Sequence, residues 1–212
     1  MALITYLLIG TTVLASLSAW NNPETFYKLK HYPYQEARSG EYYRWLTGGF
    51  LHGDQMHLFF NMLTLYFFGP RLEQWFQFLF PKFGQVLFLL FYLLGIVAAS
   101  SATYSKHKDN PGFASIGASG AVAAVVFAAI LLEPTMGIGF IFLPDQLSIP
   151  GFIFGILYLW YSSYAADKGR DNIDHVAHFF GAVFGFMFPL VLKPSLFSSF
   201  LIQLQHWFAN LF

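Results

Sequence analysis

Ser119 stands within Gly117-Ala118-Ser119-Gly120, and His178 within Ala177-His178-Phe179-Phe180-Gly181-Ala182-Val183-Phe184-Gly185. A serine hydroxyl is a weak nucleophile until a base takes its proton, and histidine titrates near neutral pH. His57 and Asn61 make a second polar pair, placed i and i+4, so they share one helix face. Their side-chain donors, with the unpaired backbone N–H groups at the start of a helix, can stabilise the oxyanion of a tetrahedral intermediate. The chemistry these residues describe is acyl transfer by a serine nucleophile and a histidine base. Glycines on both sides of Ser119 permit a tight backbone and close substrate approach.

The elements that must position these groups are set by composition. The chain has 212 residues, 56% of them hydrophobic and 10% charged, with 27 Phe. An ordinary soluble domain is about a quarter charged. So much apolar side chain cannot be covered by the polar surface available, which excludes a soluble globule and a disordered chain. The net charge of +0 leaves no basic field to hold nucleic acid. The absence of Cys removes disulfides, thiolate metal sites and a cysteine nucleophile.

The 11 basic and 11 acidic residues are bunched, leaving charge-free stretches at 1–23, 55–70, 83–105, 110–132, 146–166, 175–192 and 194–212. A spanning helix needs about 20 mostly apolar residues. Six spans are expected, at 3–20, 52–70, 84–103, 115–132, 149–166 and 174–192. The first reads as a span rather than a signal peptide, having no basic residue before it and no cleavage site after it. The segment 194–212 reads as an amphipathic helix lying in the interface, with Leu201, Leu204, Phe208 and Leu211 at helical spacing. The chain thus divides into a membrane domain, 1–193, and a C-terminal interfacial helix, 194–212. The loop 21–51 carries seven charges, Pro23, Pro33 and a cluster of Tyr and Trp, as a segment resting at the interface should.

Polar side chains inside a span cost a few kcal/mol at least and mark function. Spans two, four and six run the same way, and each carries its polar residues near its N-terminal end. His57, Asn61, Ser119 and His178 therefore fall at one depth on one side of the membrane. On span six, His178, Gly181 and Gly185 share a face. Gly117, Ala121, Ala124 and Ala128 offer a matching strip of small residues on span four. Packing the two strips brings Ser119 and His178 within hydrogen-bond reach.

The sequence resembles the rhomboid family of intramembrane serine proteases. The resemblance rests on Tyr43-Arg44, Phe50-Leu51-His52, His57-x-x-x-Asn61, Gly117-x-Ser119-Gly120 and Ala177-His178-x-x-Gly181-x-x-x-Gly185, in family order over residues 43–185. It implies an all-α membrane protein: a six-helix bundle with a Ser119–His178 dyad. It also implies an oxyanion hole of His57, Asn61 and the Ser119 N–H, and a half-embedded first loop held by Arg44. One departure is Ala123, where many members carry an aromatic residue against the catalytic histidine. Either another side chain, Phe179 or Phe180, supports His178 instead, or the base is held more loosely than in those members. The resemblance further implies a cytoplasmic N-terminus in a plasma (inner) membrane, with the site open to the outer side. The charge count points the other way: Lys28, Lys30, Arg38, Arg44, Lys106, Lys108, Lys168 and Arg170 fall outside, against Arg71, Lys82 and Lys193 inside.

Other readings compete. Ser119 can serve as helix-packing glue, His57 with Asn61 as an interhelical pair, and His178 as a satisfied buried histidine. Asp174, i−4 from His178, can be drawn as a third triad member, but an Asp just before an apolar helix is a natural N-cap. His175 and His178 are spaced H-x-x-H with no glutamate base, so no metal is expected; His52 is expected to hydrogen-bond the first loop. A transporter would want carboxylates inside the spans. A non-catalytic relative that binds client transmembrane helices remains the alternative function. The expected activity is that of a serine endopeptidase without cofactor, cutting in or beside transmembrane segments of other proteins. Phe60 and Trp160 are the expected lateral gate between spans two and five.

Overall fold

The computed structural model describes residues 2–139, 145–166 and 173–210. Lys168, Arg170 and Leu211, used in the sequence reading, lie outside them.

Helix α1 (Leu3–Trp20) occupies the first expected span. Its own N-cap residue, Ala2, makes no side-chain cap. The Glu73 carboxylate, fully buried, does so instead, accepting from Ile4 N (3.1 Å), Thr5 N (2.8 Å) and Thr5 Oγ1 (2.8 Å). An anion at the positive end of a helix satisfies donors that water cannot reach.

The loop after α1 folds into three short helices, α2 (Pro23–Leu29), α3 (Pro33–Ser39) and α4 (Arg44–Thr47), then a 3₁₀ turn at Gly48–Phe50. Proline opens α2 and α3, where a missing N–H costs nothing. Helix α5 (Gln55–Leu79) starts later than expected, because Asp54 caps it by accepting from His57 N at 2.8 Å. It also runs on through Pro70, nine residues past the expected end, since Leu72, Glu73 and Phe76 have buried places against the bundle.

Helix α6 (Gly84–His107) crosses the core, and α7 (Ser119–Leu132) is buried from Gly120 onward. Residues 115–118, expected to be helical, are not. Ser115 bridges to His31 of the first loop, and Gly117 turns at φ +121°, a backbone no β-carbon tolerates well. A two-residue antiparallel ribbon, β1 (Gly137–Ile138) with β2 (Ile149–Pro150), leads into α8 (Gly151–Ala165); α9 (His175–Leu192) and α10 (Ser195–Ala209) follow.

Three of these helices, α1, α6 and α9, are long and apolar enough to cross a membrane. The expected spans four and five appear as shorter helices of 14 and 15 residues. At 1.5 Å per residue they are about 21–23 Å long, against a hydrocarbon core of about 30 Å. The main core sits between α5, α6 and α7, around Leu65, Leu72, Phe76, Phe88, Phe91 and Val125. Helix α10 closes the far end of α7: Gln203 Nε2 donates to the Leu132 carbonyl at 3.0 Å, one of the acceptors a helix leaves unpaired.

Candidate active site

Ser119 opens α7, so its backbone N–H belongs to the turn that has no intrahelical acceptor. Three contacts place this turn. Gly117 N donates to Gly48 O at 3.0 Å, and Ser115 N to His31 O at 3.0 Å, tying the approach to Ser119 to the first loop. The ring of His57 lies against Gly117: a β-carbon there would sit 2.7 Å from Cε1 and 2.8 Å from Nε2. The left-handed turn and the absent side chain are thus both needed for the His57 imidazole to reach the Gly117–Ser119 segment. Asn61, nearly buried, directs one amide N–H to the His57 carbonyl at 2.9 Å and keeps a second donor.

Helix α9 meets α7 backbone to backbone. A β-carbon on Gly181 would collide with the carbonyl oxygen of Gly120, and one on Gly185 with that of Ala124. Gly120 lies between Ala99 of α6 and the Ala177 carbonyl, 3.3 Å from where its β-carbon would be. The strip on α7 that receives the α9 glycines is therefore Gly120 and Ala124. The expected strip is corrected in two places: Gly117 precedes the helix, and Ala121 faces Gly95 of α6. His178 lies between Ala177 and Gly181, on the stretch of α9 that flanks the Ser119–Gly120 peptide.

Two rings lie against His178: Tyr158 of α8, near-parallel with centroids 6.3 Å apart, and His175 of its own helix, edge-on at 6.0 Å. Phe179 and Phe180, the expected supports, pack on each other instead. Tyr158 was not legible in the sequence, because nothing there registers α8 against α9. Asp174 caps α9 by accepting from Ala177 N at 2.9 Å, as its position before an apolar run suggests. It also accepts from Thr103 Oγ1 of α6 at 2.8 Å. Asp174→Ala removes both bonds one turn before His178. A stability loss of about 1–2 kcal/mol is expected in thermal unfolding. Asp174→Asn keeps the cap and should lose far less; equal losses from the two variants would remove the capping role.

Arg44 stitches the first loop. Its Nε donates to Glu41 Oε2 at 2.5 Å, and Nη1 to the carbonyls of Tyr27 (2.7 Å) and Lys30 (3.2 Å). That hydrogen bond holds the Glu41 carboxyl below its ordinary range. Burial, helped by the Arg44 charge, holds the Lys30 ammonium below its own. Glu36, fully buried, accepts from Trp45 Nε1 and Tyr32 N and meets His31 Nδ1 at 2.7 Å. Behind Ser119 a cavity of about 20 Å³, room for one water, is lined by His31, Gly117, Ser119, Asp174 and Ala177.

The His52 ring bonds Ser16 of α1 and the N–H of Ala118, not the first loop as expected. No cluster of three metal-ligating side chains occurs among the described residues. Phe60 and Trp160 are both exposed, and their ring partners are on their own helices: Phe59 and Tyr164.

A helical bundle with three helices long and apolar enough to cross a membrane defines a membrane protein. Residues 39–195 match the rhomboid domain family, and the chain belongs to that family. It is 29% identical over 160 residues to RHOMBOID-like protein 12, mitochondrial, of Arabidopsis thaliana, covering 68% of this chain and 45% of that protein. It is 25% identical over 178 residues to rhomboid protease GlpG of Haemophilus influenzae, covering 79% of this chain and 81% of that one. It is 27% identical over 176 residues to the putative rhomboid protease YdcA of Bacillus subtilis, covering 81% and 75%. The chain is an integral membrane protein of a family with protease members.

Proposed function

We propose that the protein is an intramembrane serine endopeptidase. Ser119 is the nucleophile and His178 its base; His57, Asn61 and the Ser119 N–H receive the oxyanion. The observation that carries this reading is the apposition of α7 and α9 through Gly120 and Gly181, with the His57 ring on Gly117. It supports the reading because Gly120, next to Ser119, packs on the helix that bears His178, while the turn before Ser119 packs on a side chain suited to donate to developing charge. The reaction needs no cofactor or metal.

The substrate is a transmembrane segment of another protein. Peptide bonds in a helix are shielded by their own hydrogen bonds, so the segment must unwind at the cut. Helix-weakening residues and a small side chain before the scissile bond fit that need. A fluorophosphonate should label the purified protein in detergent, and the Ser119→Ala variant not at all. Equal labelling of both would exclude Ser119 as the nucleophile.

Six helices, α1 and α5 to α9, form the bundle, and α10 lies along the interface. The site opens to the outer side of a plasma membrane. Three of the four first-loop cations that oppose this orientation are occupied in the fold: Arg44 as described, Arg38 stacked 3.6 Å over Tyr34, and Lys30 over Tyr27. Lys106 likewise donates to the Ala166 carbonyl. Charges engaged this way are retained for structure whichever way the chain is inserted. The chain has no Cys, so a cysteine placed at Lys108 is a single reporter. It should react with an impermeant reagent on intact cells; reaction only after permeabilisation reverses the orientation.

Substrate enters between α5 and α8, which each pack on α7. Shrinking the exposed side chains at that gap, with Phe60→Ala plus Trp160→Ala, should speed cleavage of a membrane-embedded substrate. An unchanged rate in a folded variant places the entrance elsewhere.

A further inference from the structure

We infer that His52 is a positioning residue for the Ser119 site: a neutral imidazole, protonated on Nδ1, that ties α1 to the peptide N–H of Ala118. The inference rests on the protease reading above. His52 is fully buried. Its Nδ1 lies 3.0 Å from Ser16 Oγ, and its Nε2 accepts from Ala118 N at 3.4 Å.

Two independent observations fix the tautomer. The Ala118 N–H points at Nε2, so that nitrogen carries no proton. The Ser16 hydroxyl donates to the Phe50 carbonyl at 3.0 Å, so its one proton is spent and it can only accept from Nδ1–H. Both give the Nδ1–H form. The backbone is held as well, since Trp20 Nε1 donates to the His52 carbonyl at 2.7 Å. The ring has two acceptor–donor tasks and both are filled.

The consequence lies one residue on. The N–H of Gly117 is taken by Gly48 O and that of Ala118 by His52 Nε2. The next N–H, that of Ser119, is the one proposed to meet the oxyanion. Two consecutive peptide planes held in place set the direction of the third. His52 also stands edge-to-face to His57, centroids 4.9 Å apart, so it backs the ring proposed as the second donor. One buried side chain thus braces both donors from behind without touching substrate. Such bracing acts where the oxyanion forms and leaves substrate binding alone, so it belongs to kcat and not KM.

The test uses His52→Leu and His52→Gln in the full chain, with a transmembrane reporter in liposomes. Gln carries an acceptor Oε1 close to the place of Nε2; Leu carries none. His52→Leu should lower kcat by about 10-fold to 10²-fold, the scale of a small misplacement, at unchanged KM. His52→Gln should recover to within about threefold. Ser16→Ala should lower kcat in the wild type and have no further effect in the His52→Leu background. Nitrogen NMR of ¹⁵N-histidine protein should report His52 as neutral and Nδ1-protonated, whether or not the reporter is cleaved.

A Nε2-protonated ring overturns the inference. So does a His52→Leu enzyme with wild-type kcat, or a Gln variant as slow as Leu at equal thermal stability. Cleavage by Ser119→Ala at the wild-type rate would instead bring down the protease reading, and the NMR result would still decide the hydrogen bonds of His52.

Discussion

Ser119→Ala and His178→Ala should each reduce peptide cleavage to background, and the double variant should be no slower than either. Nucleophile and base act as one unit, so their losses do not add. His57→Ala and Asn61→Ala should behave otherwise. Each removes one of several oxyanion donors while the Ser119 N–H stays in the first turn of α7. Their rates should fall by about 10²–10³. Both should still react with a fluorophosphonate, more slowly, because nucleophile and base survive. The pH–rate profile should rise through one ionisation as His178 loses its proton. The measurement is cleavage of a transmembrane reporter across this set, with folding checked by thermal unfolding. Robust cleavage by Ser119→Ala refutes the mechanism, and activity abolished by a chelator would turn attention to a metal.

The second large effect is expected from Gly181→Val and Gly185→Val. The atoms a side chain would strike are backbone carbonyl oxygens of Gly120 and Ala124, which no rotamer change can move. Helices α7 and α9 must separate, at a cost of about 3 kcal/mol, the upper end of the overpacking range. Gly181→Val should also abolish cleavage where it still folds, because the displaced carbonyl is that of Gly120, the residue next to Ser119. Val183→Ala, on an outward-facing side of the same helix, is the control and should melt close to the wild type. A Gly181→Val protein that melts and cleaves like the wild type would disprove the close approach of the two helices.

Helix α1 was legible to the residue, because a long charge-free, mostly apolar run with no competing signal has one reading. The polar residues of the candidate site stand out in the sequence because they interrupt apolar segments; their roles are the proposal made above. What escaped was set by partners distant in sequence. Charge and Pro70 mark an end to α5, yet Glu73 has α1 to cap and Phe76 has α6 to pack on, so the helix continues. Apolar composition extends α7 back to 115, yet Ser115 pairs with His31 and Gly117 turns away. Tyr158, Thr103 and Ser16 were missed for the same reason: each is ordinary in its own helix and matters only through what another helix brings to it.

Every residue of α7 from Gly120 to Leu132 is buried among the other helices. Lipids of longer or shorter acyl chains press on helices that face them, and tilt or local thinning answers the mismatch there. The helix that carries Ser119 has no such face. Its depth is fixed by protein alone, through the Gly117 turn at one end and Gln203 at the other. Ser119 therefore keeps its level in thin and thick bilayers alike. A response of turnover to membrane thickness has to enter through the substrate or through the helices with exposed apolar side chains, such as Leu14 of α1, Leu94 of α6, Trp160 of α8 and Val191 of α9.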